Sequence, residues 1–424
     1  MFREVFFNVN QADAVVVAGK VLTCSDDDVP HPCCGEDMDD VGEIEEGALA
    51  IRDGQIVETG FARDLLRRWQ GEVYDYCDCT ILPGFVDAHT HPIFAGSRAD
   101  EYILRAQGAS YEEIHAKGGG IASTVRATTE ATDSELEELT RARLNLMLAH
   151  GSTTIEAKSG YGLNTKEELR ELRILRKLGD ELPIDLSVTF LGAHAIPEEY
   201  ASNPYDYVKL VIYEMIPQVT QEHLADWIDV FCERGVFDVA QSKRILESGM
   251  AAGLGARIHA EEFCYLGGAK MAAQIGAASC DHLQNLQADD YPILKESGII
   301  PIMTPGTSFF LGTGKYAKGR EMIDFGLPVA LATDFNPGSN FCLSMPMAIS
   351  LAVLCLKFTP EEAIKAATVN AAHSLKLGDK VGSLAAGRQA DFVVLNTLDW
   401  RSWPYSYGVN LIKAVYKRGS KVVG

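Results

Sequence analysis

GFVDAHTH, residues 84–91, is an apolar run that closes on polar residues, and it is the first of eight such runs in the chain. The others are STTIEAKS (152–159), DLSVTFLGAH (185–194), WIDVFCE (227–233), ARIHAEE (256–262), AASCDHL (277–283), GIIPIMTP (298–305) and PVALATDF (328–335). Between them lie helix-like stretches such as TDSELEELTRARLNLMLAHG (132–151) and TKEELRELRILRKLGDEL (165–182). In the second of these, Leu169, Leu172, Leu175 and Leu178, with Ile174 beside them, form one broad apolar stripe. Asn164 or Thr165 is its expected N-cap. Strand–helix alternation implies a parallel sheet, and eight units imply a closed (β/α)8 barrel. An open doubly wound sheet is the rival, but no glycine-rich GxGxxG follows an early strand.

The ends of the chain read differently. AVVVAGKVLTC (14–24), GALAIRDGQIVETG (47–60), GSLAAGRQADFVVLN (382–396) and LIKAVYKRGSKVVG (411–424) are short Val- and Ile-rich strands with glycine turns. Asp53-Gly54 is a hairpin signal. We expect a small β-sandwich-like domain assembled from both termini, residues 1–82 plus 378–424, bracketing a barrel over 83–377. The acidic segment between the first two strands, SDDDVPHPCCGEDMDDVGEIEEG, is expected to be an exposed loop.

Composition narrows the function. The chain has 424 residues, 47% of them apolar and 23% charged, which is ordinary for a globular protein. Its net charge of −21 argues against nucleic acid or an anionic membrane as partner. The N-terminal stretch carries no signal-peptide pattern, and no apolar run is long enough to span a bilayer. A cytoplasmic protein is expected. The ten cysteines are scattered, and free thiols are the expected state rather than a disulfide framework. HPCCG (31–35) and CDC (77–79) contain no CxxC pair, so a small zinc site there is disfavoured.

In a barrel of this kind the active site lies at the C-terminal ends of the strands. Those ends carry His89 and His91, then Glu156, Lys158 and Tyr161, then His194, then His259, Glu261 and Glu262, then His282, and finally Asp334. On a strand, His89 and His91 point to the same side, and Asp87 joins them. His31, His115, His150, His223 and His373 lie in loops or helix-like stretches and receive no ligand role. Neutral imidazole is a good ligand for zinc or iron. Three histidines and an aspartate suit one divalent ion with a position left open for water, as catalytic sites require.

FVDAHTH followed by a late strand ending in Asp resembles the amidohydrolase superfamily of metal-dependent hydrolases. ILPGFVDAHTHPIFAGSRADEY, GASYEEIHAKGGGIASTVRAT, KSGYGL, FLGAHAIP, HAEEF, DHL and ATDFNPGS carry the resemblance further. They are similar to the branch that opens the ring of 4-imidazolone-5-propanoate in histidine degradation. The resemblance runs from about residue 80 to 395. It implies that His89, His91, His259 and Asp334 hold one divalent or trivalent ion per chain, zinc or iron. It implies that Glu262, His282 and Asp334 carry the chemistry, and that Arg98, Tyr161, His194, Glu262, Asn336, Gly338 and Ser339 hold the substrate. It also implies a homodimer and a product, N-formimidoyl-L-glutamate. Lys158 is given a structural role, because the resemblance is to a one-metal member.

The roles have physical reasons. The substrate carries a carboxylate, which arginine's planar fork binds bidentately. In so acidic a protein a local cation is needed, and Arg98, seven residues after His91, is placed to supply it. Pro337 and Gly338 make a turn that can aim backbone N–H groups and the Ser339 hydroxyl at an anion, unless Ser339 merely caps the next helix. The rival readings are another cyclic amidohydrolase, a purine or pyrimidine deaminase, or a non-catalytic scaffold. The first two would share the metal residues and differ on the substrate side. The last predicts a lost ligand or base, and none is missing.

Overall fold

The computed structural model describes residues 10–25, 31–108 and 119–424. His115 and most of the GASYEEIHAK stretch lie outside the described residues. The terminal strands form one mixed sheet. From the N-terminal side it takes β1 (Asn10–Leu22), β2 (Glu43–Glu45), β3 (Gly47–Arg52), β4 (Gln55–Phe61) and β5 (Trp69–Pro83). Asp53 and Gly54 both have positive φ, 53° and 73°, as the tight turn between β3 and β4 requires.

The eight runs of the middle each form a parallel strand. They are β6 (Phe85–Asp87), β7 (Ser152–Lys158), β8 (Asp185–Ala193), β9 (Trp227–Cys232), a fifth strand split into β10 (Gly255–Ala256) and β11 (His259–Ala260), β12 (Ser279–His282), β13 (Ile300–Met303) and β14 (Ala330–Leu331). They pair in chain order from β6 to β14. The two ends meet just beyond the strands, through a parallel bridge between Thr90 and Phe335. His91 N–H donates to the Phe335 carbonyl at 2.8 Å, and Asp334 N–H donates to the His89 carbonyl at 3.0 Å. The barrel therefore closes through the residues expected to form the site. His89 and His91 lie just past the end of β6 rather than on it.

The C-terminal part adds β15 (Phe392–Leu395), β16 (Ile412–Lys417) and β17 (Ser420–Val423) to the first sheet, with β15 pairing antiparallel to β5. One chain thus enters and leaves the barrel through adjacent strands of the same sheet. The helix Thr165–Glu181 buries Leu169, Leu172, Ile174, Leu175 and Leu178, and Asn164 caps it by accepting the Glu167 N–H.

The acidic segment departs from the exposed loop expected of it. Cys33 and Met38 are fully buried. Cys33 N–H donates to Asn370 Oδ1 at 2.7 Å, and Lys365 Nζ donates to the Asp37 carbonyl at 2.8 Å. Residues 26–30 lie outside the described residues; of the rest, Cys33, Met38 and Val41 are buried and backbone groups of Cys33 and Asp37 find partners on the barrel, while the acidic side chains Glu36, Asp37 and Asp39 remain toward solvent.

Candidate functional site

The strand ends bring four imidazoles into one buried cluster. The ring centroids of His89 lie 5.4 Å from His91, 4.4 Å from His259 and 5.2 Å from His282. His91 Nε2 faces His259 Nε2 at 3.3 Å. Asp334 Oδ1 stands 3.6 Å from both His89 Nε2 and His91 Nε2. Potential ligand atoms of His89, His91 and His259 lie within 4.8 Å of one another, and so do those of His89, His282 and Asp334. Burial drives the His89, His91 and His282 rings well below the ordinary histidine pKa, so they are neutral and present lone pairs. The buried Nε2 atoms of His89 and His282 have no hydrogen-bond partner. Neutral imidazole nitrogens converging on a carboxylate fit a cation.

His89 and His259 are each backed by a carboxylate, and each carboxylate by a cation. His89 Nδ1 donates to Asp281 Oδ2 at 2.6 Å, and Arg257 Nη2 lies 3.5 Å from that oxygen. His259 Nδ1 lies 3.0 Å from Asp229 Oδ2, which Lys158 Nζ approaches at 2.9 Å. Lys158 also donates to Glu156 Oε1 at 2.8 Å, and Glu156 Oε2 accepts the Thr90 N–H at 3.1 Å. Burial opposes the charge on Lys158, but Asp229 and Glu156 outweigh it and hold its pKa above the ordinary value. Such partners fix a ring's tautomer and orientation. Asp87 does not join the cluster. It accepts the Thr333 N–H at 2.9 Å and the Thr333 hydroxyl at 2.7 Å, stapling the first strand to the last. Burial raises its pKa to about 7.

Backbone strain collects here as well. Glu261, His282, Leu283 and Asp334 have φ of 53°, 80°, 66° and 52°, in the left-handed region. At Glu261 the twist separates two neighbouring carboxylates. Glu261 turns away and accepts the N–H groups of Gly267, Gly268 and Ala269 at 2.8, 2.7 and 2.9 Å. Glu262 faces inward, 3.9 Å from His282 Nδ1. Burial and the nearby Asp334 raise the Glu262 pKa well above the ordinary value. Asp334, raised to about 6 by burial, accepts a 2.5 Å bond from the Thr307 hydroxyl.

A cavity of 150 Å³ opens above the cluster, and His91, His194, His259, Glu262, His282 and Asp334 form its inner wall. Tyr161, Arg98, Asn336, Gly338 and Ser339 also line it, together with Glu101, Arg105 and four apolar side chains. His194 Nδ1 donates to the Gly160 carbonyl at 2.9 Å, which leaves Nε2 as an acceptor, and burial lowers its pKa to about 3. Arg98 donates through Nε to Glu101 Oε2 at 2.9 Å, with Nη2 2.8 Å from the same oxygen. The 336–340 turn does not aim its N–H groups outward. Gly338 N–H and Ser339 N–H both donate to Asn336 Oδ1, at 2.8 and 2.7 Å. Nor does Ser339 cap a helix: the next one, Met345–Leu351, is capped by Ser344. Asn336 thus consumes the turn's backbone donors. The Ser339 hydroxyl accepts from Asn336 Nδ2 at 2.8 Å.

Every residue assigned a metal, catalytic or substrate role lies in the cluster or on this cavity, whereas Asp87 and Glu261 turn to other partners. The sequence reading missed Asp229, Asp281, Thr307, Glu101 and Arg105. Asp229 and Asp281 stand in two of the eight runs, the second directly before His282, and that placement was the available signal.

The Amidohydrolase family model matches residues 80–421. The chain is 47% identical to the imidazolonepropionase of Geobacillus kaustophilus (strain HTA426) over 397 residues, which cover 92% of this chain and 93% of that protein. It is 47% identical to the imidazolonepropionase of Solibacter usitatus (strain Ellin6076) over 395 residues, covering 93% and 94%. Among solved structures, a zinc-bound adenosine deaminase from Xanthomonas campestris superposes with a TM-score of 0.72 at 18% identity, covering 98% of this chain and 94% of that one. At that identity the likeness speaks to the fold.

Proposed function

The chain belongs to the amidohydrolase family, and on that premise we propose that it hydrolyses the ring C–N bond of 4-imidazolone-5-propanoate, giving N-formimidoyl-L-glutamate, as an imidazolonepropionase. It is a hydrolase acting on carbon–nitrogen bonds. The observation that carries the substrate assignment is a single cavity with neutral imidazoles and a carboxylate at one end and arginine at the other.

His89, His91, His259 and Asp334 would hold one metal ion, zinc or iron. Such an ion supplies Lewis acidity toward the ring carbonyl and lowers the pKa of water. The protein's own groups do the rest. Asp334 Oδ1, between two histidine nitrogens, takes the proton of the attacking water. Glu262, kept protonated by burial, donates to the ring nitrogen that leaves the carbonyl carbon. His282, neutral and accepting at Nδ1 from the Thr304 hydroxyl at 3.1 Å, donates its Nε2–H to the carbonyl oxygen on the opposite side. Tyr161 and His194 flank the ring, and Arg98, with Asn336, Gly338 and Ser339 beside it, receives the propanoate. Water adds across one C–N bond, so the ring opens with no other reactant.

The enzyme works as a homodimer in the cytoplasm on this reading. None of the ten cysteines forms a disulfide, which suits a reducing compartment, and no described helix is long and apolar enough to cross a membrane. The test is turnover of freshly generated 4-imidazolone-5-propanoate, followed by its ultraviolet absorbance, with metal content measured on the same sample. Loss of absorbance with about one zinc or iron per chain is the expected result. A metal-replete protein that leaves this substrate untouched would overturn the assignment.

A further inference from the structure

The helix Ala99–Ala106 places Glu101 and Arg105 one turn apart, the spacing at which a glutamate and an arginine ordinarily pair. Here they do not. Glu101 is taken by Arg98 and by the Gly120 N–H, which donates to its Oε1 at 2.9 Å. Arg105 is left with the Gly338 carbonyl, 3.0 Å from Nη2, and the face of Phe310, 5.4 Å from Cζ. Its Nε is buried and unpartnered. Among the described residues no carboxylate comes within ion-pair distance of it. Burial, with Arg98 nearby, lowers its pKa below the ordinary arginine value, as expected of a cation without a matched anion.

Among the described residues at the outer end of the cavity, Arg98 and Glu101 cancel, and Arg105 supplies the net positive charge. From the reading of the site given above, we infer that Arg105 is a specificity-determining residue: it provides the uncompensated charge that selects a carboxylate-bearing ring, while Arg98, held by Glu101, supplies fixed donors. Charge-assisted hydrogen bonds of this kind are worth about 10- to 100-fold in affinity.

The test compares 4-imidazolone-5-propanoate with the 5-ethyl ring that lacks the carboxylate, in wild type, Arg105→Gln and Arg105→Lys. Arg105→Gln should raise KM for the propanoate about 10- to 100-fold, leave kcat within a few-fold, and leave the ethyl substrate unchanged. Arg105→Lys should recover much of the discrimination and its dependence on ionic strength. An equal loss for both substrates, or unchanged discrimination, would overturn the inference. Melting temperature and metal content identify a variant that fails to fold, in which case Arg105→Lys alone decides through its salt dependence. If wild type turns over neither substrate, the proposed reaction fails but Arg105 is still tested: calorimetry then compares imidazole-4-propanoate with 4-propylimidazole. Arg105→Gln must erase a wild-type preference for the carboxylate, and a wild type with no such preference refutes the role.

Discussion

The inner and outer ends of the cavity are built on opposite principles. At the inner end the clustered histidines and Asp334 sit on or just beyond strands and are buried, and a chain of partners reaches back into the barrel: His89 to Asp281 to Arg257, and His259 to Asp229 to Lys158. At the outer end the groups come from loops and one short helix, and they brace each other: Arg98 on Glu101, Arg105 on Gly338, and Ser339 on Asn336. The difference separates two tasks. Fixed ligands hold charge where bonds change, and rigid preorganisation of that charge is where catalysis gains most. A carboxylate on a flexible chain needs only a matching charge within reach. Damage to the inner end should therefore appear in metal content and kcat, and damage to the outer end in KM.

The largest effect is expected from Asp334→Ala. It removes a ligand and the proposed proton acceptor together, and kcat should fall by at least about 10³-fold with loss of bound metal by elemental analysis. A variant that keeps both metal and rate would place the reacting centre elsewhere. Next comes Asp281→Asn, which leaves His89 in place but removes its charged acceptor. Metal affinity should weaken about 10- to 100-fold in a chelator competition. Unchanged affinity would mean that the inner end owes nothing to the layer behind its ligands.

The same contrast decides what the sequence disclosed. The barrel and the buried cluster of histidines and Asp334 were legible because strand ends are marked twice, by apolar runs and by the polar residues that close them. His89, His91, His194, His259, His282 and Asp334 all stand at such ends. Their backing carboxylates were not singled out, because Asp229 and Asp281 look like ordinary strand residues until the barrel wraps and aims them at a ring. Placement at a strand end did not separate Glu261 from Glu262; the resemblance singled out Glu262, and the left-handed backbone at Glu261 is what sends Glu261 to a helix start and Glu262 to the cavity. The outer end was half legible. Arg98 stood out by its spacing from His91, but Arg105 paired by rule with Glu101, and only the fold shows Glu101 already engaged. The acidic segment was misread because its charge masked the buried Cys33 and Met38.

A smaller effect, confined to the outer end, is expected from Gly338→Ala. A Cβ there would stand 2.0 Å from Arg98 Nη1 and 2.6 Å from its Cζ. The guanidinium cannot simply swing aside, since Glu101 holds it through both Nε and Nη2. KM should rise about tenfold, roughly the worth of one charged hydrogen bond, with kcat and metal content near wild type. A fall in kcat with KM unchanged would show that the two ends are mechanically coupled.

The smallest effect concerns the turn that carries Tyr161 and belongs to neither end. Glu171 Oε2 accepts the Gly160 and Tyr161 N–H groups at 3.0 and 3.3 Å, and Glu168 Oε1 accepts those of Gly162 and Leu163 at 3.0 and 2.8 Å. Both carboxyl groups are buried, and each keeps one oxygen without a partner. Burial raises both pKa values, and for Glu171 the neighbouring Glu168 adds to the rise. An acid whose pKa is higher in the folded than in the unfolded chain contributes stability that is present at low pH. That stability is lost as pH rises through the folded value. Glu171→Gln keeps a carbonyl oxygen for the two N–H groups and removes the titration. Its melting temperature relative to wild type should therefore climb as pH is raised from about 5 to 8, by a few degrees, with kcat and KM changed less than about twofold, since the turn keeps its acceptor. A gap that is flat with pH would mean that the folded pair is already ionised at pH 5, as the unfolded chain is. A gap that closes as pH rises would reverse the sign of the coupling. A large change in KM would make the turn part of the outer end, and the division of the cavity into two halves would have to be redrawn around Tyr161.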